Sequence, residues 1–285
     1  MTRVFDTFLY SGIGTEPDLL ECRLRELDGT GAEHVIIEGD LTFQGAPKAH
    51  TFVEQKARFE PWADRITYVP VTPQAREPGK EAGDAWAREH YSRQAVRWGL
   101  EWVGARPGDI VLHGDADEIP SREAISSLRE NAGLIFPCKL ELRFFMFAVD
   151  LEVPWRWHAP SVMRYGQLDN FTWLRESAWP DWPHCQPAGW HLTWLGGEQA
   201  AREKVHAFSH AEAIPETEAG LERGRYYREG VWWKGSGRDH ETQFYACTVD
   251  ETWPSWIYQS WDPVHGEPCG PAPDIWFRPR GSRAA

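Results

Sequence analysis

The chain lacks any long apolar run, any CxxC spacing, any internal repeat and any excess of positive charge. No stretch approaches the roughly 20 apolar residues of a membrane helix, so no membrane span is expected. The apolar start, Val4 to Leu9, is short and broken by Asp6, unlike the core of a secretory signal, so a cytoplasmic protein is expected. Cys22, Cys138, Cys185, Cys247 and Cys269 are scattered and odd in number, which argues against both a disulfide framework and a zinc site. With 30 Lys and Arg against 43 Asp and Glu, the net charge is -13. That balance argues against duplex nucleic acid and anionic membranes as partners, although it does not exclude a local basic groove.

What is present is an ordinary globular composition, 41% hydrophobic and 26% charged over 285 residues, with 17 tryptophans as its one oddity. The first half alternates strand and helix. Strands are predicted over Val4–Tyr10, His34–Glu38, Arg65–Pro70 and Asp109–His113, with a helix over Pro17–Leu27 and a long amphipathic one over Asp84–Trp102. This alternation predicts an α/β fold, a mostly parallel sheet flanked by helices. After Leu134 the style changes. Leu140–Val149 reads as one long β-rich run, 150 to 195 is dense in Trp and Pro, and Gly196-Gly197 open a helix to about Phe208 whose free N–H groups could meet a phosphate.

The strongest chemical signal is Asp115-Ala116-Asp117-Glu118, at the end of the last buried strand of the first half. Side chains at i and i+2 of an extended backbone lie on one side, roughly 7 Å apart. Two carboxylates that close repel unless a cation or proton lies between them. Hard oxygen ligands select Mg²⁺ or Mn²⁺. Such an ion at the carboxyl edge of a parallel sheet can stabilise a departing nucleoside diphosphate. An acidic loop capping the next helix gives the same pattern, and phosphatases and nucleases also use paired aspartates.

Four ordered blocks add specificity. They are Arg3-Val-Phe-Asp-Thr-Phe-Leu-Tyr10 with Glu16 to Leu27; Val35-Ile-Ile-Glu-Gly-Asp-Leu-Thr-Phe-Gln-Gly-Ala-Pro-Lys48; Trp86-Ala-Arg-Glu89 and Arg93 leading to Gly114-Asp-Ala-Asp-Glu-Ile-Pro120; and Gly189-Trp-His-Leu-Thr-Trp-Leu-Gly-Gly197, ending at Phe208 to Glu212. Through these the chain resembles glycosyltransferase family 17, and within it the short bacterial and viral members. The resemblance implies a GT-A-like sheet, a UDP-sugar donor carrying N-acetylglucosamine, Mn²⁺ or Mg²⁺, and inversion at the anomeric carbon. Pro17 and Gly39 depart from the family pattern without removing a charge, and 150 to 190 matches poorly, so the Trp/Pro-rich region is expected on the acceptor side. The catalytic domain is expected over 1–212, with 213–285 an extension packed on it and flexible at its end.

Roles follow from that resemblance. Asp117 and Asp115 are expected to hold the metal, Asp115 alternatively the donor ribose, with His191 completing the metal shell. Thr7, Glu38, Arg93, Asp115, Glu118, Lys204 and His210 are the expected donor contacts. For Arg93 an ion pair with Glu89, and for Lys204 a solvated position, are the plainer accounts. The general base should be an acid near the acceptor loops. Asp169, Asp181, Glu152 and Glu141 are available, with Asp169 preferred. The expected partners are a nucleotide-sugar and a saccharide or glycoconjugate acceptor. Competing functions are glycosylation of a modified base in nucleic acid, a non-catalytic sugar-binding module using the Trp-rich face, and a metal-dependent phosphohydrolase.

Overall fold

The structure, a computed structural model, describes residues 2–73, 85–130, 136–168, 170–176, 182–186, 188–210, 214–215, 218, 232–233 and 242–278. Its strands are β1 (Val4–Leu9), β2 (Glu33–Gly39), β3 (Ile66–Val71), β4 (Ile110–Asp115), β5 (Glu118–Pro120), β6 (Cys138–Leu140), β7 (Arg143–Met146), β8 (Leu151–Glu152), β9 (Ser161–Arg164), β10 (His184–Cys185), β11 (Gly189–Thr193), β12 (Trp232–Trp233), β13 (Thr242–Gln243) and β14 (Tyr245–Ala246). The main helices are α1 (Glu16–Glu26), α2 (Thr51–Glu54), α3 (Ala85–Gln94), α4 (Val96–Trp102), α5 (Arg122–Glu130), α6 (Phe171–Glu176), α7 (Gly197–Val205) and α8 (Ser255–Tyr258). None is long and apolar enough to cross a membrane.

A seven-stranded sheet runs β10-β6-β9-β4-β1-β2-β3. β3, β2, β1 and β4 are parallel, and β9 alone runs against its neighbours β4 and β6. This is the mostly parallel, helix-flanked α/β sheet that the alternation of strand and helix predicts. The chain leaves β3 at one edge and returns through α3 and α4 to β4 on the far side of β1. The strand order therefore reverses between β1 and β4, where open α/β sheets place their ligands. β1 is buried at all six positions, because helices or strands cover both its faces.

Two charged residues interrupt this core and are paired inside it. Asp6 on β1 receives Arg23 of α1 at 2.8 and 2.5 Å and faces His34 of β2 at 2.9 Å. Burial opposes the charged carboxylate, but Arg23 and then His34 outweigh it and hold Asp6 below the usual range. Arg23 continues to the carbonyls of Asp115 (3.0 Å) and Glu118 (2.8 Å). One buried guanidinium thus fixes β1, α1 and the acidic turn to one another.

A second sheet, β14-β8-β7-β11-β5, begins where the first ends. The chain crosses between them through Asp115 to Glu118, and β5 pairs with β11 so that His191 stands opposite Glu118. The close approach at β5 requires glycine. At Gly189, φ is +138° and a Cβ would lie 2.1 Å from the carbonyl of Ile119. Behind this sheet, Phe145, Trp190 and Leu192 pack with Trp253, Trp256 and Trp276 from the C-terminal segment. Much of the tryptophan excess is therefore core filler.

Two expectations are corrected here. The run Leu140–Val149 is not one strand, because it crosses from β6 in the first sheet to β7 in the second. The predicted 84–102 helix is two, α3 and α4, joined by a tight turn in which Trp98 N–H reaches back only to the Ala95 carbonyl.

Candidate active site

A cavity of about 650 Å³ opens at the carboxyl ends of β1, β2 and β4. Its lining carries Asp115, Asp117, Glu89, Arg93, Arg175 and Lys204 together with the aromatic side chains of Phe144, Trp155, Trp157, Trp194 and Phe208. That combination of apolar lining and converging charges is the usual make-up of a small-molecule site.

The two aspartates have different partners. Asp115 receives Arg93 Nη1 at 2.9 Å on Oδ1 and Arg175 Nη2 at 2.5 Å on Oδ2. Burial works against its charge, while Arg175 and then Arg93 outweigh it and keep its pKa low. Arg93 also holds Glu89 at 2.6 Å, so the plainer reading of Arg93 and the functional one are both present. Asp117 meets Lys204 Nζ at 2.6 Å on Oδ2 and His191 Nε2 at 3.5 Å on Oδ1. Here too burial is outweighed, by Lys204 and then His191, and the carboxyl lies well below its usual range. Lys204 is also bonded to Thr193 Oγ1 at 2.7 Å, so it points into the cavity rather than into solvent. His191 stacks on Phe144 at 4.7 Å and lies 4.5 Å from the Trp157 ring.

His210 also lines the cavity, edge-on to Trp86 at 4.7 Å. Trp194 sits in left-handed backbone (φ +61°) where β11 ends, a strained conformation of the kind that collects at functional sites.

Three expected donor contacts are corrected. Thr7 is fully buried and bonded to the Leu112 carbonyl (2.9 Å) and His113 Nδ1 (3.1 Å), so it joins β1 to β4 instead of facing the cavity. Glu38 is buried and takes the N–H groups of Thr51 (2.7 Å) and Phe52 (3.2 Å), with Lys48 and Tyr68, so it caps α2. Glu118 is buried outside the cavity lining. It accepts both Arg175 Nη groups at 2.9 Å, Trp157 Nε1 at 2.5 Å and the Asp115 N–H at 2.8 Å. It fixes the acidic turn and does not face a ligand.

The start of α7 does not serve as a phosphate cradle either. A Cβ on Gly196 (φ +96°) would lie 2.1 Å from Thr15 Cγ2, so this helix begins against the loop before α1 and reaches the cavity through Lys204, near its other end. Asp169 and Asp181 lie outside the described residues. Of the other proposed bases, Glu152 pairs with Arg143 and Arg156, and Glu141 with His158. Among the described residues the cavity's carboxylates are Glu16 of α1, Glu89 of α3, Asp115 at the end of β4 and Asp117 in the turn that follows.

Arg23, Arg175 and Trp157 escaped the sequence reading. Arg23 was detectable, since it falls one turn from Leu19 and Leu27 on the buried face of α1 while an opposite charge, Asp6, interrupts the adjacent strand. Arg175 and Trp157 stand in the aperiodic Trp/Pro-rich region, and no spacing points to them.

A family model described as glycosyltransferase family 17 matches residues 1–226. Over 146 residues, half of this chain, it is 27% identical to the beta-1,4-mannosyl-glycoprotein 4-beta-N-acetylglucosaminyltransferases of Rattus norvegicus and Homo sapiens. The match covers 27% of the length of those relatives. Among solved structures, 4-diphosphocytidyl-2C-methyl-D-erythritol synthase aligns with 59% of this chain and 78% of its own at 16% identity and a TM-score of 0.35. S. aureus TarS 1-349 aligns with 52% and 37% at 12% identity and a TM-score of 0.30. On the family match, which spans well over half of its length, the chain belongs to glycosyltransferase family 17.

Proposed function

We propose that the chain transfers N-acetylglucosamine from a UDP-sugar, with inversion, to a hydroxyl of a saccharide or glycoconjugate, and that it uses Mn²⁺ or Mg²⁺. The observation that carries this reading is the setting of Asp117. Its Oδ1 and His191 Nε2 face each other at 3.5 Å. That is long for a hydrogen bond and about half an ångström wider than the roughly 3.0 Å between neighbouring ligands of an octahedral cation with bonds of ~2.1 Å, a gap that a small side-chain rotation closes. An oxygen and an imidazole nitrogen in the cavity lining fit Mn²⁺ well. Asp115 fits less well as a ligand, because an arginine holds each of its oxygens. We assign it instead to fixing Arg93 and Arg175 at the cavity edge.

The metal, when bound by Asp117 and His191, would supply charge stabilisation for a departing diphosphate. Lys204, Arg93 and Arg175 add fixed positive charge on the same side of the cavity, already oriented by their carboxylate partners. Beside His191 the cavity is lined by Phe144 and Trp157, with Trp155 also on its lining. Indole faces suit the C–H faces of a sugar, so this aromatic lining is where we place the acceptor. The test is a transfer assay with a panel of nucleotide-sugars, with and without Mn²⁺. UDP-N-acetylglucosamine should be consumed only with the metal and with a saccharide acceptor. Equal turnover of another nucleotide's sugar, or full turnover in chelator, would overturn the reading.

A further inference from the structure

A second cluster of metal-binding side chains lies outside the cavity. Glu141, in the link between β6 and β7, His158, and His184 of β10 each bring one ligand atom within 4.8 Å of the others. Three groups converge on a single carboxylate oxygen. His158 Nε2 lies 3.0 Å, Gln186 Nε2 2.7 Å and His184 Nδ1 3.7 Å from Glu141 Oε2. The two imidazole rings are 4.5 Å apart.

The backbone holds these residues in place. The Glu141 N–H bonds the Cys185 carbonyl at 3.1 Å, and the Ala188 N–H bonds the Glu141 carbonyl at 3.2 Å. Leu142 and Trp157 exchange both of their backbone bonds, at 2.8 and 3.0 Å, which positions His158 beside Glu141. A cation would find its ligands assembled, so little ordering entropy would oppose binding.

The spacing and the chemistry agree on the type of ion. A tetrahedral site with bonds of ~2.1 Å separates neighbouring ligands by about 3.4 Å. The two Glu–His distances, 3.0 and 3.7 Å, fall on either side of that value. Two imidazoles and one carboxylate suit a borderline transition metal, whereas Mg²⁺ and Ca²⁺ prefer oxygen alone. Side-chain exposures of 15% to 26% leave a route for entry.

We propose that Glu141, His158 and His184 form a second metal site, for Zn²⁺ or a similar transition-metal cation, with a water as fourth ligand. The site would tie the edge strand β10 to the segment carrying Trp157, whose indole donates to Glu118. Its role is structural, to stiffen the cavity's aromatic lining, and it is independent of any ion at Asp117.

The full chain, stripped by chelation, is titrated with Co²⁺ as a spectroscopic stand-in for Zn²⁺. We expect one ion with the visible spectrum of four-coordinate Co²⁺, kept in Asp117→Asn and displaced by Zn²⁺. His184→Ala should weaken it by at least ~100-fold, the upper end of what removal of even an outer partner costs. His158→Asn should do the same and provides a second variant if His184→Ala folds poorly, with circular dichroism checking each fold. The proposal is overturned if no four-coordinate spectrum forms, if both histidine variants keep it, or if it is lost in Asp117→Asn or Cys185→Ser while the histidine variants retain it.

Discussion

Asp115 and Asp117 are two residues apart on the same turn, yet they face opposite tasks. Asp115 is enclosed by guanidiniums, one oxygen to Arg93 and one to Arg175, and Arg175 goes on to Glu118. Asp117 meets a single lysine and an imidazole that stands too far away for a good hydrogen bond. The first arrangement is a closed network whose loss would leave charges stranded. The second leaves Oδ1 without a close hydrogen bond, although the Asp117 side chain is the less exposed of the two, 7% against 31% for Asp115. A paired-carboxylate motif therefore does not assign equal roles to its members, and their partners decide which one holds the structure and which one is free to bind.

That contrast can be broken at several points. The largest effect is expected from Arg175→Ala, which strands Glu118 and Asp115 without their shared cation. Loss of one partner of a buried pair costs about 3–5 kcal/mol, and urea denaturation should show it. Removal of the Asp117 partner by Lys204→Met should cost under about 2 kcal/mol, since that lysine is partly exposed. If the two variants are equally unstable, the contrast fails.

Asp117→Asn should leave the denaturation midpoint near wild type and lower transfer at least ~10²-fold, which is about 2.7 kcal/mol of transition-state stabilisation. Asp115→Asn should show the reverse emphasis, with stability lost first.

Trp157→Phe keeps a ring beside His191 but removes the donor to Glu118. It should cost about 1–2 kcal/mol in denaturation, because a buried acceptor loses one of its bonds while three others remain.

The pH dependence is the finest discriminator. The folded-state pKa of Asp115 lies below its unfolded value, so the native state binds fewer protons than the unfolded state as pH falls through this range. The stability Asp115 contributes is therefore complete above about pH 4 and is lost as pH drops through its lowered pKa. Denaturation midpoints measured from pH 5 downwards should fall, and Asp115→Asn should flatten that acid limb. An unchanged slope in the variant would place the acid sensitivity elsewhere.

The first sheet was readable because its central strands are buried on both faces. Val4–Leu9 has apolar residues on both sides of Asp6-Thr7, Ile110 to Leu112 is an apolar run, and the acidic turn stands out where that strand ends. The second sheet was not readable. Its strands are short, and its pairing joins residues as distant as Glu118 and His191, or Leu151 and Ala246, which no local period encodes. Glu38 looked like a ligand because it ends a buried strand at the right edge. Its true partner, the start of a four-residue helix, leaves no periodic trace. Lys204 was legible as a charge on a helix, but not as one turned inward towards a carboxylate 87 residues away.

The most direct test of the account is calorimetric titration of UDP into wild type and Asp117→Asn, each with and without Mn²⁺. Mn²⁺ should tighten UDP binding at least tenfold in the wild type, about 1.4 kcal/mol, and have no effect in the variant. An equal gain in both proteins would show that the cation is held elsewhere and contradict the role given to Asp117.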